Sequence, residues 1–141
     1  MGRLDELAVR ASQEPLAEFL GIKFDFFSEG AVNASLPIRQ DFLIPEGFVQ
    51  GGVITTLADF AGVYAAMTKI KQGHAPAVSI DITFFRPFTL DDKTMHAVAV
   101  VQNESRSFVW VTVNVFVEKG KKKAQMTAIF AKPRQDNITA S

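Results

Sequence analysis

The chain has 141 residues, 15 basic and 15 acidic side chains, and no cysteine. That length suits one domain with a real core, and the cancelled charge leaves no electrostatic footprint for nucleic acid or an anionic membrane. Without cysteine there is neither a disulfide framework nor thiolate chemistry, and the start Met1-Gly-Arg-Leu-Asp-Glu-Leu7 lacks the apolar core of a signal peptide; both fit a cytoplasmic protein.

Leu4, Leu7, Ala8 and Ala11 recur at helical spacing and Pro15 restarts the pattern, so helical structure is expected over about residues 3–20, closed by Gly21. Ile22, Phe24 and Phe26 alternate with polar residues, Glu29-Gly30 turns the chain, and Val32, Ala34 and Leu36 alternate back: a hairpin. A breaker-rich loop follows from Arg39 to Gly47. From Gly51 the pattern predicts a helix of about 18 residues, apolar nearly all round and so buried on several sides. Four strands are then expected, Val78–Phe85, Thr94–Gln102, Phe108–Val117 and Ala124–Lys132, with disorder after about Pro133. The segment Val49–Met67 is long enough to raise the question of a membrane span. A central Asp59, two threonines and three glycines argue against it.

One domain over residues 1–141 is expected, α+β in class, with an antiparallel sheet wrapped around one long central helix. That is the hotdog architecture. A cystatin-like cone is the rival, but there the helices precede the sheet. Thirteen phenylalanines against one tyrosine and one tryptophan point to dry surfaces, in a core, an apolar tunnel or a subunit interface.

Asp59 is the only charge between Glu46 and Lys69. An ionised carboxylate is costly to bury unpaired, and no Lys or Arg lies within a turn or two of it, which makes Asp59 a functional candidate. Gly51 and Gly52 open the same helix. Amides of a first turn have no intrahelical acceptor and sit at the positive dipole end, and glycine lets a carbonyl approach them closely. The Gly51 N–H is therefore a natural oxyanion donor; two glycines that only allow a sharp turn into the helix are the plainer alternative.

Gln50-Gly51-Gly52-Val-Ile-Thr-Thr-Leu57-Ala-Asp59-Phe-Ala61 resembles the His-Gly-Gly-x4-Leu-x-Asp-x-Ala signature of the hotdog acyl-CoA thioesterases of the phenylacetate-pathway (PaaI) type. Phe84-Phe-Arg86-Pro87 resembles the Phe-Leu-Arg-Pro that these proteins carry on the strand after the helix. The family's His is Gln50 here, and its Asn, six residues earlier, is Ile44. The resemblance implies an acyl-CoA thioesterase without metal or cofactor, acting as a homodimer or homotetramer. It implies catalytic roles for Asp59, Gly51 and Gln50, with Asp59 as base or nucleophile.

Eight residues separate Gly51 from Asp59, so on one helix they stand roughly 12 Å apart along the axis, too far for one carbonyl to touch both. Two such helices packed antiparallel would bring the Asp of one to the N-terminus of the other. The spacing thus argues for a site shared between protomers. Gly52, Ser79, Thr83 and Arg86 complete the candidate substrate-binding set. Ser79 and Thr83 would position water unless they are ordinary strand hydroxyls, and Arg86 would meet a coenzyme A phosphate unless it is structural. Lys119 and Lys121–Lys123 read as a solvated hairpin tip or a basic patch for the nucleotide, and His74 and His96 as surface residues. A non-catalytic acyl-CoA or fatty-acyl binding protein is the second reading, and a dehydratase the third.

Overall fold

Pro15 splits the expected N-terminal helix in two. The computed structural model describes residues 2–134, and in it α1 (Arg3–Ala11) and α2 (Pro15–Leu20) flank a break at Ser12. Proline has no amide hydrogen to donate and is tolerated only in the first turn, where it sits in α2. Gly21, at φ 95°, ends that helix in the left-handed conformation. The hairpin β1 (Lys23–Ser28) and β2 (Ala31–Pro37) turns at Gly30, again at positive φ.

The long helix α3 (Gly51–Met67) has 17 residues and is followed by β3 (Ala77–Phe84), β4 (Thr94–Glu104), β5 (Phe108–Val117) and β6 (Lys122–Ala131). The strands form one antiparallel sheet in the order β1-β2-β4-β5-β6-β3. Every second residue is buried along β2, β5 and β6 and in the first half of β4, at Met95, Ala97 and Ala99, the set that faces α3. Many of these are small: Ala34, Ala97, Ala99, Ala124 and Ala128 meet a helix that offers Ala58, Ala61, Gly62, Ala65 and Ala66. Small residues on both surfaces bring the helix close, so the twisted sheet curls around it. At Gly62 a Cβ would stand 3.2 Å from Met126 Cε and 3.3 Å from Phe130 Cζ and Val113 Cγ2, which shows how tight the approach is.

This is the hotdog arrangement. The long helix lies between the second and third strands, which removes the cystatin-like alternative. No helix among the described residues is long and apolar enough to cross a membrane. Most of the segment expected to be disordered, 135–141, lies outside the described residues.

The two sheet edges differ. β1 is bulged between Phe24 and Phe26 and lies against α1. β3 pairs only with β6 and leaves Val78, Ile80 and Phe84 55%, 40% and 47% exposed. An eight-residue edge with five apolar residues, one charge at Asp81 and no proline or lysine is open to pairing with another strand.

Candidate active site

The loop before α3 is held by its backbone. Gln50 N–H donates to Phe42 O at 2.9 Å, Val49 N–H to Phe88 O at 2.9 Å and Ile44 N–H to Phe48 O at 2.8 Å. Phe42 and Phe88 are themselves buried, so the start of α3 is anchored in the core. Gln50 is the N-cap, but its side chain makes no capping bond and is exposed. Its carbonyl accepts from Val53 N–H at 2.9 Å and Ile54 N–H at 3.4 Å, which leaves the Gly51 and Gly52 amides open.

Neither glycine has a positive φ, so the helix backbone does not require them. At Gly52 a Cβ would meet only Gln50 Cγ at 4.0 Å, open space. At Gly51 it would lie 3.2 Å from Phe84 Cζ, because the β3 side chain caps the helix start. Two glycines in a helix cost stability relative to alanine. Packing within the protomer accounts for Gly51 in part and for Gly52 not at all.

Asp59 is half-buried rather than fully enclosed, on a stripe with Gly52, Thr55 and Thr56 that faces away from the sheet. Neither a hydrogen bond nor an ion pair reaches its carboxylate among the described residues. Burial holds its carboxyl above the ordinary aspartate value, and the charge of His74 pulls the other way. His74, expected on the surface, is exposed there and faces Asp59 electrostatically. Thr55 and Thr56 donate their hydroxyls to Gly51 O and Gly52 O, both at 2.8 Å, which fastens the first turn.

Ser79 and Thr83 are not brought to this stripe. They pair with Ile129 and Gln125, on the sheet face opposite α3, while Ile80, Ile82 and Phe84 pair with the helix-facing Ala128, Met126 and Ala124. Within the protomer, the expectation that they position water is therefore not met at the α3 stripe, and the plainer alternative of ordinary strand hydroxyls fits their place. The alternation Ser79-Ile80-Asp81-Ile82-Thr83-Phe84 already carried that signal. Arg86 is exposed just beyond β3. His96, expected at the surface, is instead half-buried on the outer sheet face; its ring stacks on Phe116 and its Nε2 is buried without a hydrogen-bond partner.

The expected lysine tip is not uniformly solvated. Lys123 Nζ binds Asp92 Oδ2 at 2.8 Å and Pro87 O at 2.9 Å, and Lys122 Nζ binds Gln125 Oε1 at 2.8 Å. Among the described residues no group of three His, Cys, Asp or Glu side chains is placed to hold a metal ion. Sequence reasoning missed Phe84 as the lid over Gly51, since the two are far apart in the chain.

Comparison with known proteins agrees with this fold. The sequence profile of the thioesterase superfamily matches residues 46–124, from the loop before α3 into β6. A thioesterase family protein from Silicibacter pomeroyi has the same fold, with a TM-score of 0.83 over 92% of this chain and 97% of that one at 22% identity. A variant of the phenylacetic acid degradation protein PaaI from Thermus thermophilus is 30% identical, with a TM-score of 0.75 over 85% of this chain and 100% of that one. A protein of Saccharolobus solfataricus named for an inferred esterase activity is 28% identical over 75 residues, 53% of this chain and 50% of that protein. The chain thus spans about half the length of that curated relative. It belongs to the thioesterase superfamily, as a hotdog-fold protein of the PaaI type.

Proposed function

We propose that the protein hydrolyses acyl-CoA thioesters to a free acid and coenzyme A, at a site completed by a second copy of the chain. Asp59 carries this reading: an unpartnered carboxylate on the uncovered stripe of α3, in line with two open amides whose glycines protomer packing does not demand. Two copies of α3 packed antiparallel about a two-fold axis would set Asp59 of one chain against Gly51 of the other. Pairing of the apolar β3 edges would hold them there, in a homodimer or homotetramer.

In the reaction Asp59 accepts a proton from water as the water oxygen bonds to the thioester carbon. The carbonyl oxygen becomes an oxyanion and accepts a hydrogen bond from the Gly51 N–H, at the positive end of α3. The C–S bond then breaks, and the departing thiolate of coenzyme A takes the proton from Asp59. Direct attack by the carboxylate, through an anhydride that water later opens, uses the same geometry. The exposed Gln50 carboxamide donates a neutral hydrogen bond to the thioester but cannot become a cation.

The test is thiol release over short-chain, long-chain and aromatic acyl-CoAs. Turnover of at least one class, abolished in Asp59→Ala, is the expected result. Tight binding of an acyl-CoA with no thiol release would instead make the protein a non-catalytic binder.

A further inference from the structure

The start of α3 has two unlike flanks. On one, Gln50 is exposed and its side chain makes no capping bond, and a Cβ at Gly52 would meet only Gln50 Cγ at 4.0 Å. This flank is polar and open. On the other, the tip of the Phe84 ring rests on Gly51: Cζ, Cε2 and Cε1 stand 3.2, 3.6 and 3.7 Å from where a Cβ would be. Phe84 is the last residue of β3 and pairs with the buried Ala124 of β6. Sheet register therefore brings the ring to the helix start.

The Phe84 side chain is 47% exposed. Its tip packs on Gly51, and the rest of the ring borders the helix start as an apolar wall. A coenzyme A thioester is two-sided in the same way. One arm of its carbonyl is the amide-bearing pantetheine chain, and the other is the hydrocarbon of the acyl group. Against a phenyl ring the amide-bearing arm loses hydrogen bonds to water, whereas the hydrocarbon gains by leaving water. The flanks thus assign the arms: pantetheine to the side of Gln50 and Gly52, and the acyl group to the side of Phe84.

We propose that Phe84 is the acyl-side wall of the site and that it selects unbranched acyl groups; this rests on the reading of the α3 start as a thioester site. The ring tip already touches Gly51, so no space is left between them for a branch on the carbon next to the carbonyl. A straight chain leaves the carbonyl along the exposed part of the ring. Phe84 meets the acyl group and not the bond that breaks, so its role is in specificity and not in catalysis.

The experiment compares two isomeric substrates, hexanoyl-CoA and α-methylpentanoyl-CoA, and the matching ketones, in which a methylene replaces the thioester sulfur and hydrolysis is impossible. Wild type should bind the straight ketone about 10-fold more tightly than the branched one, the scale of one misplaced methyl group in a filled pocket, and show the same preference in kcat/KM. Phe84→Ala should bring both ratios close to one, mainly through a gain for the branched isomer. Phe84→Leu keeps an apolar strand end and should give intermediate ratios, whether or not Phe84→Ala folds. Phe108→Ala is the control. Phe108 is 38% exposed and pairs with Ala131, whereas Phe84 pairs with Ala124, so the two stand roughly 23 Å apart along β6. This variant should keep the wild-type ratios.

Equal affinity of wild type for the two ketones, or no binding of either, would overturn the proposal. So would a preference that survives in the Phe84 variants or falls equally in Phe108→Ala. Failure of the hydrolytic reading looks different: the ketones bind with the expected ratio, and neither thioester releases thiol.

Discussion

The two halves of α3 share one apolar composition and have opposite surroundings. From Ala61 to Met67 every residue is buried: the sheet covers one side and the N-terminal helices help cover the other. Arg3 reaches from α1 to Met67 O at 3.4 Å and Gly73 O at 3.0 Å, and Tyr64 donates its hydroxyl to Glu14 Oε2 at 2.7 Å. From Gly51 to Phe60 only Ile54, Leu57 and Ala58 are buried, and the stripe opposite the sheet stays uncovered. The covered half is finished within one chain. The open half holds the unpartnered carboxylate and the open amides, and it is the face that the proposed second chain would cover.

Substitutions that separate the halves sharpen this contrast. Asp59→Ala should lower thioester hydrolysis by about 100-fold or more, the usual scale for losing a positioned base, and leave the denaturation midpoint nearly unchanged. A matching fall in stability would mean that Asp59 is structural after all. Gly62→Val, in the covered half, should do the reverse. Its new atoms meet Met126, Phe130 and Val113 at 3.2–3.3 Å, so urea unfolding should report a loss of about 1–3 kcal/mol, with activity retained in the folded fraction.

Gln50→Ala should slow turnover by only about 10-fold, since a neutral hydrogen bond is worth roughly 1 kcal/mol. Gln50→His should be tolerated. Wild-type rates in both variants would reduce Gln50 to a loop residue.

The smallest effect expected is on pH dependence. The Asp59 pKa is raised in the folded state by burial, so its contribution to stability is present below the unfolded aspartate value and is lost as pH rises through the folded one. Asp59→Asn should therefore be slightly more stable than wild type at neutral pH, and the gap should close on acidification. If Asp59 is the base, as proposed, the acid limb of kcat/KM should lie above the ordinary aspartate range. A gap that widens toward acid would contradict this assignment.

The element order was legible because each element carries its own period: alternation in β4 to β6, an all-round apolar run in α3, and Pro15 and Gly21 as punctuation. The placement of Gly51 and Asp59 on one helix, eight residues apart, was legible because the apolar run has no breaker between them. What depended on long-range register was harder. Ser79 and Thr83 could be placed only once β3 was seen to pair with β6, which turns them to the outer face. Phe84 over Gly51 joins segments far apart in the chain. The half-exposure of Asp59 was hidden for another reason: an apolar face reads the same whether its cover is the same chain or another copy.

The shared site is the central claim, and mixed oligomers test it most directly. Asp59→Ala subunits and Gly51→Val subunits, each inactive alone, are unfolded, mixed and refolded together. If each site draws its carboxylate and its amide from different chains, a mixed dimer holds one site with both lesions and one intact site, and should regain roughly half the wild-type activity per dimer. Mixed dimers as inactive as either parent, or a monomer that hydrolyses thioesters, would contradict the account.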